Sequence, residues 1–370
     1  MGLLIIILYI TDTDYLIKAV RTIYLKGHTT AFLEDYKEFD NQVIEASNHP
    51  QAWPNHKDYN SVEATEPLKR AHNNWGTIAF VIIKNDSIWY ENYYDGFGED
   101  SKTNSFSMAK SYVSGLLGKA IMEGHIKSLD QPVCDFLPAF CEGKALTMTV
   151  GDLSSMASGT NWDEAYYSPL SITTRAYFDD DLAKVMNGLT VVDEPGQHFK
   201  YASGDTQMLA MVIEKATGKK LYNYLEESFW KPLGSENSTL WQVDSEDHDL
   251  VKAYCCIASN AKDFARFGKL YKDHGKWNGK QVLDSAFVAK SVRPRFPESP
   301  EYGYGFWLKK HLGKQFFMMQ GHLGQYVIVQ PEDNVIIVRL GHSKGPGNPL
   351  ESYTDDISIY IEEAYEMLNK

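Results

Sequence analysis

Three observations predict a mixed α/β (α+β) fold: one antiparallel sheet built from both chain ends and flanked by helices, with an inserted, mainly helical lobe. β-rich runs at residues 77–83 and 87–93 are joined by Lys84-Asn85-Asp86, a hairpin signal. Four more strand-like runs lie late, at 304–308, 316–319, 325–329 and 335–340. Helical patterns fill most of the interval, and one more, 354–368, closes the chain.

The first 70 residues read as an N-terminal helix and an extended arm, ahead of a main domain over 71–370 with its helical lobe at about 130–255. The apolar run 3–10 is stopped by Thr11-Asp12-Thr13-Asp14, well short of a membrane span. No Lys or Arg precedes it and no small-residue cleavage site follows, so it does not read as a signal peptide. It is also compatible with the tail of a longer anchor. Residues 15–26 mix Leu16, Ile17, Val20 and Ile23 with Lys18, Arg21 and Lys26, and Gly27 ends them. Two readings stand: a basic amphipathic helix on a membrane surface, or a helix packed on the domain. A periplasmic or membrane-anchored location is favoured over a cytoplasmic one. Residues 28–70 are polar and irregular, with Pro50 and Pro54 around Trp53.

Residues 107–123 read as a helix with Ala109, Val113, Leu116, Leu117 and Ala120 on one side, closed by Gly124. Further helices are expected at 149–157, 205–217 (stopped by Gly218), 221–230, 259–273 and 284–292. The chain carries no internal repeat or low-complexity tract.

Composition narrows the function classes. With 370 residues and 43% hydrophobic content the chain can bury a sizeable core, and 23 Tyr with 8 Trp argue against disorder. The formal charge of −13 and the lack of a basic run interleaved with aromatics exclude nucleic acid as a partner. Four cysteines are too few for a disulfide-built scaffold. Cys134 and Cys141 bracket a short loop and are placed to pair in an oxidising compartment, whereas the adjacent Cys255 and Cys256 read as buried thiols. No Cys/His cluster has zinc spacing and no Asp/Glu run has calcium-loop spacing, so neither metal nor cofactor is expected.

Chemistry enters with Ser107-Met108-Ala109-Lys110. A serine hydroxyl is a poor nucleophile without a base beside it, and residues three apart on a helix share a face. Two other tetrads fit the same pattern. Ser228-Phe229-Trp230-Lys231 runs into Pro232 at a helix end, and bulky Phe and Trp suggest packing. In Ser259-Asn260-Ala261-Lys262 the serine looks like an N-cap, with Asp263 and Arg266 on an exposed face. Ser107 alone follows a hairpin and opens a long helix, whose first turn favours negative charge.

Gly341-His342-Ser343-Lys344-Gly345 fits a nucleophile elbow, but Pro346-Gly347-Asn348-Pro349 replaces the helix that an elbow needs. No histidine follows His342 to complete that triad. A second proton carrier for Ser107 is offered by Tyr201, in Tyr201-Ala202-Ser203, because a neighbouring lysine cation favours phenolate.

Ser107-Met108-Ala109-Lys110, then Tyr201-Ala202-Ser203, then Gly321-His322-Leu323-Gly324-Gln325 resemble in order and separation the serine β-lactamase and penicillin-binding-protein superfamily, in particular its class C-like members. The flanking stretches Phe106 to Ser111, Phe199 to Thr206 and Asp263-Phe264-Ala265-Arg266-Phe267-Gly268 are similar to 6-aminohexanoate-dimer hydrolases and related esterases. The resemblance covers about residues 70–368 and not the N-terminal arm.

This resemblance implies a β-lactamase-like fold, with Ser107 as acylated nucleophile, Lys110 as its base and Tyr201 as proton relay. It implies an oxyanion hole from the backbone N–H groups of Ser107 and His322, next to Gly321 on the third-motif strand. It assigns substrate binding to Tyr166, placed against the leaving group, to Gly321, and to Ser203, which stands where many relatives carry Asn. The usual Lys-Thr-Gly triplet is missing; Lys215-Ala216-Thr217-Gly218 only ends a helix. Either the His322 imidazole partly substitutes for that lysine or only its backbone matters. The expected activity is hydrolysis of small amides or esters through an acyl-enzyme. The alternatives are a penicillin-recognising β-lactamase or DD-peptidase, and a non-catalytic binding or sensor protein on the same scaffold.

Overall fold

The computed structural model describes residues 2–347 and 352–370, with side chains from Ile6 onward. Asn348 and Pro349, which the elbow argument invoked, lie outside the described residues. The chain opens with two short helices, α1 (Gly2–Ile10) and α2 (Tyr15–Thr22), then strand β1 (Asn41–Ile44) and helix α3 (Glu66–Asn74). No helix among the described residues is long and apolar enough to cross a membrane. Tyr15, Ala19 and Ile23 are buried in the main core, and Lys18 reaches Asp180 at 2.5 Å. α2 is therefore packed on the body, although Ile10, Ile17, Val20 and Leu25 stay exposed.

The hairpin forms as expected, from β2 (Thr77–Lys84) and β3 (Ser87–Tyr93). Asn85 and Asp86 both take positive φ, the conformation that a two-residue turn with matching twist requires. A two-residue strand β4 (Thr103–Asn104) leads into α4 (Ala109–Met122), which Gly124 ends with φ +79°. The lobe follows: α5 (Val150–Ser154), α6 (Ile172–Phe178), α7 (Leu182–Asn187), α8 (Ser203–Thr217) and α9 (Leu221–Leu225). The helix expected over 221–230 widens into a π-turn at Glu226–Trp230 before Pro232. Then come β5 (Thr239–Gln242), β6 (Ile257–Ser259), α10 (Ala261–Lys272), the small hairpin β7 (Lys276–Trp277) and β8 (Lys280–Gln281), and α11 (Ser285–Ser291). Strands β9 (Trp307–His311), β10 (Lys314–Gly321), β11 (Gln325–Gln330) and β12 (Val335–Gly341), with helix α12 (Asp355–Leu368), complete the chain.

The main sheet has the order β3-β2-β12-β11-β10-β9, antiparallel throughout, so strands from both chain ends meet at the β2–β12 pair. Its two faces bury different residues because side chains alternate along a strand. Val81 and Ile83, Val327 and Val329, and Ile336 and Val338 face the larger core under α4 and α10. Phe80 and Ile82, Tyr326 and Ile328, and Ile337 face α3 and α12 through Leu68, Ile357, Tyr360 and Ile361. Burial on both faces explains why β2 and β12 read as continuous apolar runs.

Several expectations need correction. Residues 28–70 are not only an arm, since they supply β1 and α3. A second antiparallel sheet, β1-β5-β6-β4, was not foreseen; its strands are two to four residues long, too short for a periodicity signal. The strand expected from 304 begins at Trp307, after Gly305 has turned the chain with φ +80°. Asn260, not Ser259, caps α10 by accepting from the Asp263 N–H at 2.9 Å. Asp263 and Arg266 are not exposed but almost fully buried. Their 2.8 Å ion pair is completed by Glu236 and the Gln51 and Leu233 carbonyls, and so satisfies a guanidinium inside the core. The sulfurs of Cys255 and Cys256 are bonded rather than free, as are those of Cys134 and Cys141.

Candidate active site

The chain enters the site along β4 and turns sharply. Phe106 takes φ +46°, rare for a bulky side chain, and the Asn104 side chain accepts its N–H at 2.8 Å. Ser105 is tied to β6 by its own N–H to the Ile257 carbonyl (2.7 Å) and by its hydroxyl, which accepts the Ile257 N–H (3.1 Å). This fixed turn delivers Ser107 to the rim of a cavity while Lys110, in the first turn of α4, is buried. α4 is held in place by Ser111 and Ser114, whose hydroxyls donate to the Gly305 and Tyr304 carbonyls.

Lys110 Nζ donates to Ser107 Oγ at 2.8 Å and to the Tyr254 carbonyl at 2.9 Å. Burial lowers its pKa to about 8, against a smaller upward pull from Glu164. The other two tetrads behave differently. Lys231 pairs with Glu226 at 2.6 Å, and Lys262 pairs with Glu99 at 2.6 Å and Glu91 at 3.1 Å.

Tyr201 lies just before α8, with Lys110 Nζ 5.1 Å from its ring centroid. Its ring packs against Trp307 and Tyr302. Burial, seconded by Glu164, raises the phenol pKa well above its usual value, outweighing a hydrogen bond with Ser107. The expectation that Lys110 favours phenolate is thus overturned: desolvation penalises the charged form of both groups, leaving a more basic tyrosine and a less basic lysine.

Gly321 ends β10, paired with Gln325 across the turn to β11. A Cβ there would collide with the Ser105 carbonyl, so glycine lets the strand end approach the Ser107 turn. His322 follows and lines the same cavity as Ser107, Tyr166 and Ser203. Burial, then Lys344, lowers its pKa to about 4, so at neutral pH the ring is uncharged. It does not replace the missing lysine as a cation. Tyr166 stacks on it at 5.4 Å between centroids.

Three participants were not foreseen. Glu164 accepts from the Ser203 N–H (2.8 Å), the Ser203 and Tyr166 hydroxyls and the Trp162 indole (2.6 Å), so it orients two of the three residues expected to bind substrate. The buried Arg339 donates to the carbonyls of Leu323, Gly324, Ser343 and Trp75 and to the Thr77 hydroxyl, pinning the turn that follows His322. Tyr254, with its hydroxyl buried and unpartnered, faces Lys110 from the segment before the bonded cysteines. An isolated Glu, Arg or Tyr carries no motif.

The cavity over Ser107 measures about 130 Å³. Besides the site residues it is lined by Leu16, Ala19, Val20 and Ile23 of the N-terminal segment and by Tyr177 and Phe178 of α6.

Comparison with known proteins places this arrangement. A 6-aminohexanoate-dimer hydrolase of Paenarthrobacter ureafaciens is 26% identical over 222 residues, 57% of this chain and 56% of that one. The chain thus matches little more than half the length of that relative. Among solved structures, a Bacillus anthracis protein described provisionally as a 6-aminohexanoate-dimer hydrolase superposes with a TM-score of 0.74 at 21% identity, covering 89% of this chain and 91% of its own. A D-stereospecific amidohydrolase from Streptomyces gives 0.60 at 18% identity, over 80% and 97% of the two chains. Both show the same fold, and the family signature runs over residues 66–358, from α3 to α12 and through every site residue named above: the chain belongs to the Beta-lactamase family.

Proposed function

We propose that this protein is a serine hydrolase that cleaves small amides or esters through an acyl-enzyme. The observation that carries the reading is the 2.8 Å contact between Lys110 Nζ and Ser107 Oγ inside a buried setting. With a pKa of about 8, about a tenth of Lys110 is neutral at pH 7, enough to serve as a base without help from another group. Ser107 Oγ attacks the substrate carbonyl carbon and passes its proton to Lys110. The carbonyl oxygen becomes an oxyanion facing the backbone N–H groups of Ser107 and His322. Tyr201, kept protonated by burial, donates its phenolic proton to the departing amine or alcohol and is reprotonated from Lys110. Water then attacks the acyl carbon, and the acid leaves with Ser107 restored. Glu164 positions Tyr166 and Ser203 beside the leaving group.

A penicillin-recognising activity has less support, since no Lys or Arg is among the described residues lining the cavity to hold a substrate carboxylate. A purely binding role would leave the Ser107, Lys110 and Tyr201 assembly without use. The test is labelling by a fluorophosphonate and hydrolysis of a short nitrophenyl ester, in the wild type and in Ser107→Ala. Loss of both in the variant is expected; full turnover by Ser107→Ala would refute the mechanism.

A further inference from the structure

The cavity over Ser107 has a wall that none of these steps uses. Leu16, Ala19 and Val20 of α2, with Ile23 after it, form one side, and Tyr177 and Phe178 of α6 also line it. No Asp, Glu, Lys or Arg is among the described residues that line it. Its one imidazole, His322, is neutral at pH 7 because burial holds its pKa near 4. A zwitterion or carboxylate entering this space would lose hydration and touch no charged side chain of the wall, a cost that an apolar chain avoids. Ser107 and His322 line the cavity, and so do Tyr166 and Ser203. A group bonded to the scissile carbonyl therefore enters it.

We propose that the substrate is an uncharged ester or amide with an apolar chain laid against α2, so that the N-terminal helix sets chain-length specificity. This rests on the Ser107 hydrolase reading above. Exposed Val20, Tyr24 and Tyr167 at the rim give an apolar chain a surface to enter over. The balance is plain hydrolysis: ester and water yield the carboxylic acid and the alcohol.

The experiment is two ester series, nitrophenyl acetate to nitrophenyl octanoate and ethyl acetate to octyl acetate. In one of them kcat/KM is expected to rise about four-fold for each methylene buried, until the chain outgrows the cavity. Ala19→Phe, which narrows the wall, and Val20→Asp, which charges it at a half-exposed position, are each expected to lower the six-carbon to two-carbon ratio of that series at least ten-fold. If Ala19→Phe fails to fold, Val20→Asp decides. A Ser107-dependent activity that is flat with chain length in both series, or a ratio unchanged in the folded variants, overturns the proposal while leaving the hydrolase intact. So does faster cleavage of the zwitterionic 6-aminohexanoate dimer than of a neutral hexanoyl amide. Absence of any Ser107-dependent turnover refutes the hydrolase reading itself.

Discussion

Lys110 Nζ stands 2.8 Å from Ser107 Oγ and is steadied from the far side by the Tyr254 carbonyl at 2.9 Å. One turn of helix supplies the spacing; the surrounding core supplies the basicity, because burial makes the ammonium form costly. Most of what can be tested follows from that pairing and from the residues that hold it.

The activity should rise with pH. In the proposed mechanism neutral Lys110 is the working form and its pKa is about 8, so kcat/KM is expected to climb from pH 7 to 9 and level above. Glu164 pulls that pKa upward, so Glu164→Gln is expected to move the ascending limb to lower pH. A pH–rate profile of both proteins measures this, and a limb that stays put would show that Glu164 acts on Lys110 only through geometry.

Arg339 has no adequate substitute in lysine. Its planar fork serves four carbonyls and a hydroxyl at once, whereas an ammonium has three donors. Arg339→Lys is expected to lower kcat at least ten-fold as the His322 turn loosens, with a stability loss of about 2 kcal/mol. Ester hydrolysis and guanidinium unfolding report the two effects; normal kcat in the variant would contradict the positioning role.

Gly321→Ala should damage catalysis more than binding. The added methyl meets the Ser105 carbonyl, so the strand end and the Ser107 turn must separate. A fall in kcat with little change in KM is the expected pattern. Equal kcat would mean that the turn tolerates the shift.

Arg266→Met strands Asp263 in the core beside Glu236. Two backbone N–H groups, from Glu236 and Asn237, still reach Asp263, but its charge partner is gone. The expected cost is about 3 kcal/mol, read from the denaturation midpoint at constant m-value. A loss below about 1 kcal/mol would place the pair among those that contribute little.

Acid should destabilise the fold partly through His72. Burial lowers its folded pKa to about 3, from 6.5 in the unfolded chain. Between those values the unfolded chain binds a proton that the native ring refuses, so stability present above pH 6.5 is lost as pH falls. Urea unfolding of wild type and His72→Gln from pH 7 to 4 is expected to show a shallower decline in the variant. Parallel declines would assign the acid sensitivity to other groups.

Some of this was legible in the residues. The hairpin at β2–β3, the late strands and the long α4 announced themselves because alternation and helical periodicity run for several turns. Ser107, Lys110 and the Tyr201 segment were legible because short-range spacing or a motif carries them. The second sheet was not, since β4 and β6 have only two and three residues to show a pattern. Asp263 and Arg266 look solvent-facing on any charge count, yet each neutralises the other's burial.

What the amino-acid order settled alone is therefore the local spacing that brings Lys110 to Ser107. Spacing along a helix is a property of the backbone and needs no distant partner. What only the tertiary structure decided is their electrostatic state and their surroundings. The low pKa of Lys110, the protonated Tyr201 and the neutral His322 all come from desolvation, which depends on what covers each group. So does the apolar wall of α2, laid over a serine some ninety residues away in the chain by packing against α6.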